Sequence, residues 1–175
     1  FNLAWRVRET TGDYLMVVDT NFAVAKTNVL VTYSADQKID VESDGTVTKT
    51  LTLTYKNPQE YFLEKGTNLK LNGVFRDWLR VYVPKGSELL EAKGFETGQK
   101  TSEDLGKTVF EGFFTVTPLN VRTITLRYKL PMKMKSPYKM LIQKQGGSKN
   151  FNYTFKINGK AYPEFLLSAD HEFVF

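Results

Sequence analysis

From Thr46 to Tyr55 the chain reads TVTKTLTLTY. Val47, Lys49, Leu51, Leu53 and Tyr55 take alternate positions, and Thr48, Thr50, Thr52 and Thr54 take the others. A period of two sends the two sets to opposite faces of a pleat, so the stretch predicts a β-strand. The β-branched threonines reinforce it, because their stiff χ1 suits a strand and costs a helix. Just upstream, Ser43-Asp44-Gly45 is a turn of residues that accept left-handed backbone, so Lys38 to Glu42 pairs back along the strand as a hairpin. A strand with one apolar and one polar face buries only one side. A second layer must cover that side.

The rest of the chain repeats this pattern. Tyr14 to Val18 (YLMVV) is apolar on both faces and predicts a central, doubly covered strand. Val121 to Leu130 alternates as cleanly as the first stretch, and Phe151, Tyr153, Phe155 and Ile157 share another face. Leu3 to Val7 predicts a first strand and Glu172 to Phe175 a closing one. Thr97 to Gly106 is polar and turn-rich, which predicts a hairpin tip. Gly146-Gly147-Ser148 predicts a turn between strands at Tyr138–Gln145 and Phe151–Asn158, and Asn158-Gly159 predicts another turn. Asn57-Pro58-Gln59-Glu60 carries cap, first-turn and capping-box signals for a short helix to about Lys65, with Gly66 as the stop. Pro163 to Ala169 predicts a further helical turn. About eleven short strands and one or two short helices point to an all-β fold, an antiparallel two-sheet β-sandwich. Residues 1–175 read as a single domain, expected to be a piece of a longer protein.

Composition narrows the chemistry. The chain has no Cys and a single His, His171. Disulfides, thiolate metal sites, cysteine nucleophiles and multi-histidine metal sites are thereby removed, and neither a metal nor another cofactor is expected. A Ser-His-Asp relay would depend on one residue near the chain end. Of the carboxylates, Glu60, Glu64 and Asp77 are candidates for loop-based glycan chemistry, although nothing in their spacing singles them out. Asp36, Asp40 and Asp44 lack the glycine and terminal glutamate of a calcium loop.

Charge is unevenly distributed. Val121 to Lys160 holds ten Lys or Arg and no Asp or Glu, while the whole chain carries only +5, so the remainder is net acidic. Arg127, Lys129, Lys133, Lys135, Lys139 and Lys144 are therefore the candidate anion-binding residues. If they share a surface, they suit uronates or phosphates of a surface polymer, or anionic headgroups at a membrane. Nucleic acid is not expected, since no recognition motif accompanies the charge.

Several stretches in order carry a resemblance: Asp13 to Asn21 (DYLMVVDTN), Lys26 to Asn28, Asp44 to Val47, Tyr55 to Pro58, Trp78 to Gly86 (WLRVYVPKG) and Gln143 to Gly147 (QKQGG). Together they resemble the C-terminal part of a bacterial family catalogued as domain of unknown function 4012. The resemblance implies a parent anchored by an N-terminal transmembrane segment, with this portion extracytoplasmic at the cell surface. The family has no established catalytic residues. The expected function is accordingly a non-enzymatic interaction or scaffold domain of the cell envelope, binding anionic surface polysaccharide. The alternatives are a glycan-active hydrolase or transferase using loop carboxylates, and a structural spacer without ligand.

Overall fold

A computed structural model describes residues 6–23, 26–67, 70–134 and 137–175. It is nearly all β, with two large sheets packed face to face. In chain order the strands are β1 (Asp13–Asn21), β2 (Thr32–Val41), β3 (Val47–Lys56), β4 (Phe62–Leu63), β5 (Lys70–Asn72), β6 (Phe75–Pro84), β7 (Glu88–Lys93), β8 (Thr97–Asp104), β9 (Lys107–Val116), β10 (Val121–Lys129), β11 (Lys139–Gln143), β12 (Phe151–Ile157), β13 (Lys160–Ala161), β14 (Phe165–Leu167) and β15 (His171–Val174). One sheet, here called A, runs β15-β11-β1-β6-β9-β8, and the other, B, runs β13-β12-β2-β3-β10-β7, with β14 also on β12.

The expected sandwich is present, but its sheets are mixed. β1 runs parallel to β11, and β2 runs parallel to β12. Both facts have one cause. The chain passes from sheet A to sheet B between β1 and β2, and it passes again between β11 and β12. The two crossovers lie side by side, so each sheet receives a parallel pair. Gly146-Gly147-Ser148 is therefore a sheet-to-sheet crossover and not the hairpin turn that the glycines suggest.

The β2–β3 hairpin forms in the expected register, Lys38 opposite Thr50 and Val41 opposite Val47. Gly45 in its turn has φ +86°, and Asp44 Oδ1 accepts the Thr46 amide at 2.9 Å. Val47, Lys49, Leu51, Leu53 and Tyr55 are all buried, each opposite the inner face of sheet A. Tyr14 to Val18 is buried on both faces, as its sequence predicts. Its outward residues Tyr14, Met16 and Val18 join Tyr82, Val109 and Leu141 in a second apolar cluster on the outside of sheet A, with Val7 packed against it. Gln143 ties that covering segment down: its Nε2 donates to the Arg6 carbonyl, its Oε1 accepts the Arg8 amide, and Tyr14 OH donates to the same oxygen.

Three further expectations change. The predicted helix from Pro58 is absent; the segment holds the short strand β4. Asn57 is fully buried and does not cap, because its Oδ1 accepts Asn72 Nδ2 at 3.1 Å while its Nδ2 donates to the Gly73 carbonyl at 2.8 Å. Asn72 Nδ2 meanwhile takes the Gln59 and Glu60 carbonyls. Those contacts fix the base of the excursion at the expense of a helix. Thr97 to Asp104 is strand β8, and the turn is confined to Leu105 and Gly106, both at positive φ. β8 is an edge strand exposed along its length, which is why its sequence is polar throughout. Pro163 to Ala169 contains strand β14 and no helical turn; the one helical element described is a 3-10 turn at Thr27–Val29. The predicted first strand lies mostly outside the described residues, and Arg6 to Thr10 is irregular. Among the described residues no helix is long and apolar enough to cross a membrane.

Candidate functional site

The six basic residues singled out from sequence fall into separate places. Arg127 and Lys129 project from the outer face of sheet B on β10, both exposed. Lys133 reaches Asp44 of the β2–β3 turn, with Nζ to Oδ2 at 2.6 Å. Lys139 is exposed on β11 in sheet A. Lys144 is spent on its own crossover: Nζ donates to the Ser148 carbonyl at 2.7 Å, and burial pulls its pKa down. Lys135 lies outside the described residues.

What the fold does bring together is a row across sheet B. Lys156 on β12 pairs with Lys38 on β2, Lys38 with Thr50 on β3, and Thr50 with Arg127 on β10. At the usual strand spacing, the row spans about 14 Å from Lys156 to Arg127. Around it stand the hydroxyls of Thr48, Thr52, Thr54, Thr123 and Thr125, in register on β3 and β10. Four acids share this face: Asp36 accepts the Thr154 hydroxyl at 2.6 Å, Asp40 meets Lys38 at 2.9 Å, Glu91, the register partner of Arg127, meets Lys93 at 2.6 Å, and Glu88 is the register partner of Lys129. Among the described residues, no carboxylate lies within ion-pair distance of Arg127, Lys129 or Lys156.

Sequence reasoning did not find the second feature, a cavity of about 220 Å³ between the two crossovers. Asp19, Asn21, Asn28 and Val31 line it from the first crossover, and Gln145 to Lys149 from the second. Side chains lace the crossovers together. Gln145 Oε1 accepts the Asp19 amide at 2.9 Å, and its Nε2 donates to the Asp19 carbonyl at 3.0 Å. Lys149 Nζ donates to the carbonyls of Val29 and Val31.

Two carboxyl groups sit at the floor of this cavity. Asp19 is on β1 and Asp77 on β6, where Asp77 is the register partner of Asn21. Asp19 Oδ1 accepts Tyr55 OH at 2.6 Å. Asp77 is fully buried, and neither of its oxygens receives a well-formed hydrogen bond; its neighbours are the Asp19 carboxyl and, more loosely, the Thr20 amide. Burial raises the pKa of both acids, and the Asp19 charge raises Asp77 the further of the two. At neutral pH the pair therefore retains a proton, as two adjacent buried carboxyls must. Burial also raises Tyr55 and Tyr33 above the ordinary phenol range, keeping both as neutral donors. Asp77 was among the carboxylates that the sequence offered; its partner was not, because β1 and β6 are far apart in the chain.

No family model matches the chain, and no curated protein matches it. Among solved structures it is similar to a Legionella pneumophila protein described as a candidate nutrient binding protein. The TM-score is 0.48 at 11% identity, over 85% of this chain and 55% of that one. It is also similar to an M1 zinc metallopeptidase from Deinococcus radiodurans, with TM-score 0.34 at 8% identity, over 73% of this chain and 32% of that one. The chain thus spans about half the length of the first and a third of the second.

Proposed function

We propose that this chain is a non-enzymatic interaction domain of a bacterial cell envelope, and that the outer face of sheet B binds an anionic surface polysaccharide. The observation that carries the reading is the row Lys156–Lys38–Thr50–Arg127, with Lys129 beside it, on a face rich in threonine hydroxyls. Uronate or phosphate groups along a polymer meet spaced cations there, and sugar hydroxyls meet the threonines. The extracytoplasmic setting and the membrane-anchored parent rest on the resemblance in the sequence. The carboxylates support binding over glycoside hydrolysis. A hydrolase holds its two acids roughly 5–9.5 Å apart across the scissile bond. Asp19 and Asp77 are instead immediate neighbours with no room for a scissile bond between them, one of them wholly buried. Glu60 and Glu64 are exposed on the excursion after β3.

Retention on immobilised polygalacturonate, eluted with rising salt, tests the reading. The wild-type domain is expected to be held at low salt and released as screening sets in. The pair R127A with K156A is expected to elute markedly earlier, while K139A, on the other sheet, elutes with wild type. Negligible retention at every salt concentration refutes the polymer reading. An equal loss in K139A reduces it to net charge alone.

A further inference from the structure

The acidic cavity lies on the opposite strand face from the polymer row and calls for an occupant of opposite charge. We propose that the cavity between the two crossovers is a site for a hard divalent cation of the calcium class, held by the carboxylates of Asp19 and Asp77. Both Asp77 oxygens are buried in the cavity lining and neither receives a well-formed hydrogen bond from a protein N–H or O–H, an arrangement that is costly unless a proton shared with Asp19 or a bound cation satisfies them; the cation would take the place of that proton. No basic group figures among the influences on either acid; burial, the other carboxyl, and hydroxyl or amide donors do. Lys149, the lysine that lines the cavity, has its amine turned to the Val29 and Val31 carbonyls.

The donor set decides the kind of cation. Besides the two carboxylates, the lining offers the side-chain amides of Asn28 and Asn21, the latter also accepting the Ala23 amide at 2.8 Å, with no imidazole or thiolate; the Ser148 hydroxyl is engaged with the Gln145 carbonyl and the Lys144 amine. Oxygen donors select hard cations over zinc or copper. A cavity of about 220 Å³ takes an ion together with several of its waters, each occupying about 30 Å³ in the liquid. Tyr55 OH holds one Asp19 oxygen and leaves the other free to turn towards Asp77. The two crossovers would then be clamped by one ion where now Gln145 and Lys149 join them.

Calorimetric titration of the domain with calcium, magnesium and manganese chlorides at neutral pH tests this, alongside thermal melts. We expect one-to-one binding of at least one of the three. At a hundredfold excess over Kd, the melting temperature should rise by roughly 5 °C or more. Asp77→Asn and Asp19→Asn should each weaken binding at least tenfold while keeping the wild-type circular dichroism spectrum. Absence of both heat and thermal shift at millimolar concentrations of all three salts overturns the proposal in the wild-type protein, whatever the variants do. Binding that is undiminished in both variants overturns it as well. Retention on polygalacturonate is a separate readout, so either result leaves the other standing.

Discussion

β1 and β3 face each other across the core at two places, and the acid on β1 meets a different partner at each. At one end Asp13 faces Lys49; at the other Asp19 faces Tyr55. The two contacts have the same sequence separation, 36 residues, because two extended strands advance in step. The first end is closed. Lys49 Nζ is fully buried against Asp13, whose carboxylate also accepts Tyr138 OH, and the buried hydroxyls of Tyr128 and Tyr153 bond Gln37 close by. Burial depresses the Lys49 pKa while the Asp13 charge opposes the drop. The second end has a tyrosine in place of the lysine and a second acid, Asp77, in place of a cation. A buried carboxylate needs positive charge, a proton or a ligand beside it. The closed end has the first from its own chain. The open end has a shared proton and a cavity. The difference separates a structural buried charge from one that is available to bind.

The largest effect should come from the closed end. Replacing Lys49 with Met leaves the buried Asp13 carboxyl without its cation, with only the Tyr138 hydroxyl and the Tyr14 amide as donors. The expected cost is about 3–5 kcal/mol in denaturant melts. The double variant D13N/K49M should recover much of that, because no charge is then buried. If K49M costs under about 1 kcal/mol, the two ends do not differ in the way described.

At the open end the expected sign is reversed. In cation-free buffer Asp77→Asn gives Asp19 a permanent amide donor that requires no shared proton. It should stabilise the domain by about 1 kcal/mol. A loss of more than that would mean that Asp77 contributes to the core as Lys49 does. The smallest effect belongs to the exposed pair Lys133–Asp44, the reference outside the core. The hydrogen bond from Lys133, with those of Thr46, holds the Asp44 carboxyl below the usual carboxylate range. Its folded pKa is depressed, so its stabilising contribution is full above the unfolded value of about 3.9 and is lost as pH falls through the lower folded value. D44N should lower the neutral-pH melting temperature slightly and leave it unchanged in strong acid, so that the acid limb of the stability curve is flatter.

Much of the fold was legible in the sequence, for a local reason. In TVTKTLTLTY each side chain's face follows from its parity, and the structure buries every residue that parity assigns inward, Lys49 included. The turn at Asp44-Gly45 and the closing strand at His171–Val174 were readable in the same way. The helix signal at Asn57 failed because the side-chain oxygen that would cap is taken by Asn72 Nδ2, a residue of the excursion 15 positions away. The Gly146-Gly147 turn was located correctly, but the strands it joins are in different sheets. Of the six basic residues, only Arg127 and Lys129 were readable as neighbours, since they share one strand face. Lys38 and Lys156 entered their row through pairing across strands.

By itself, then, the sequence determined which stretches extend, which face of each is apolar, and that His and Cys chemistry has almost nothing to work with. Only the tertiary structure decided which strands are neighbours, that two crossovers run in parallel, and that Asp19 meets Asp77 while Asp13 meets Lys49. Alternation is a property of a strand alone, whereas a partner is chosen by the packing of segments far apart in the chain. The charge that a buried acid finds beside it follows from that choice.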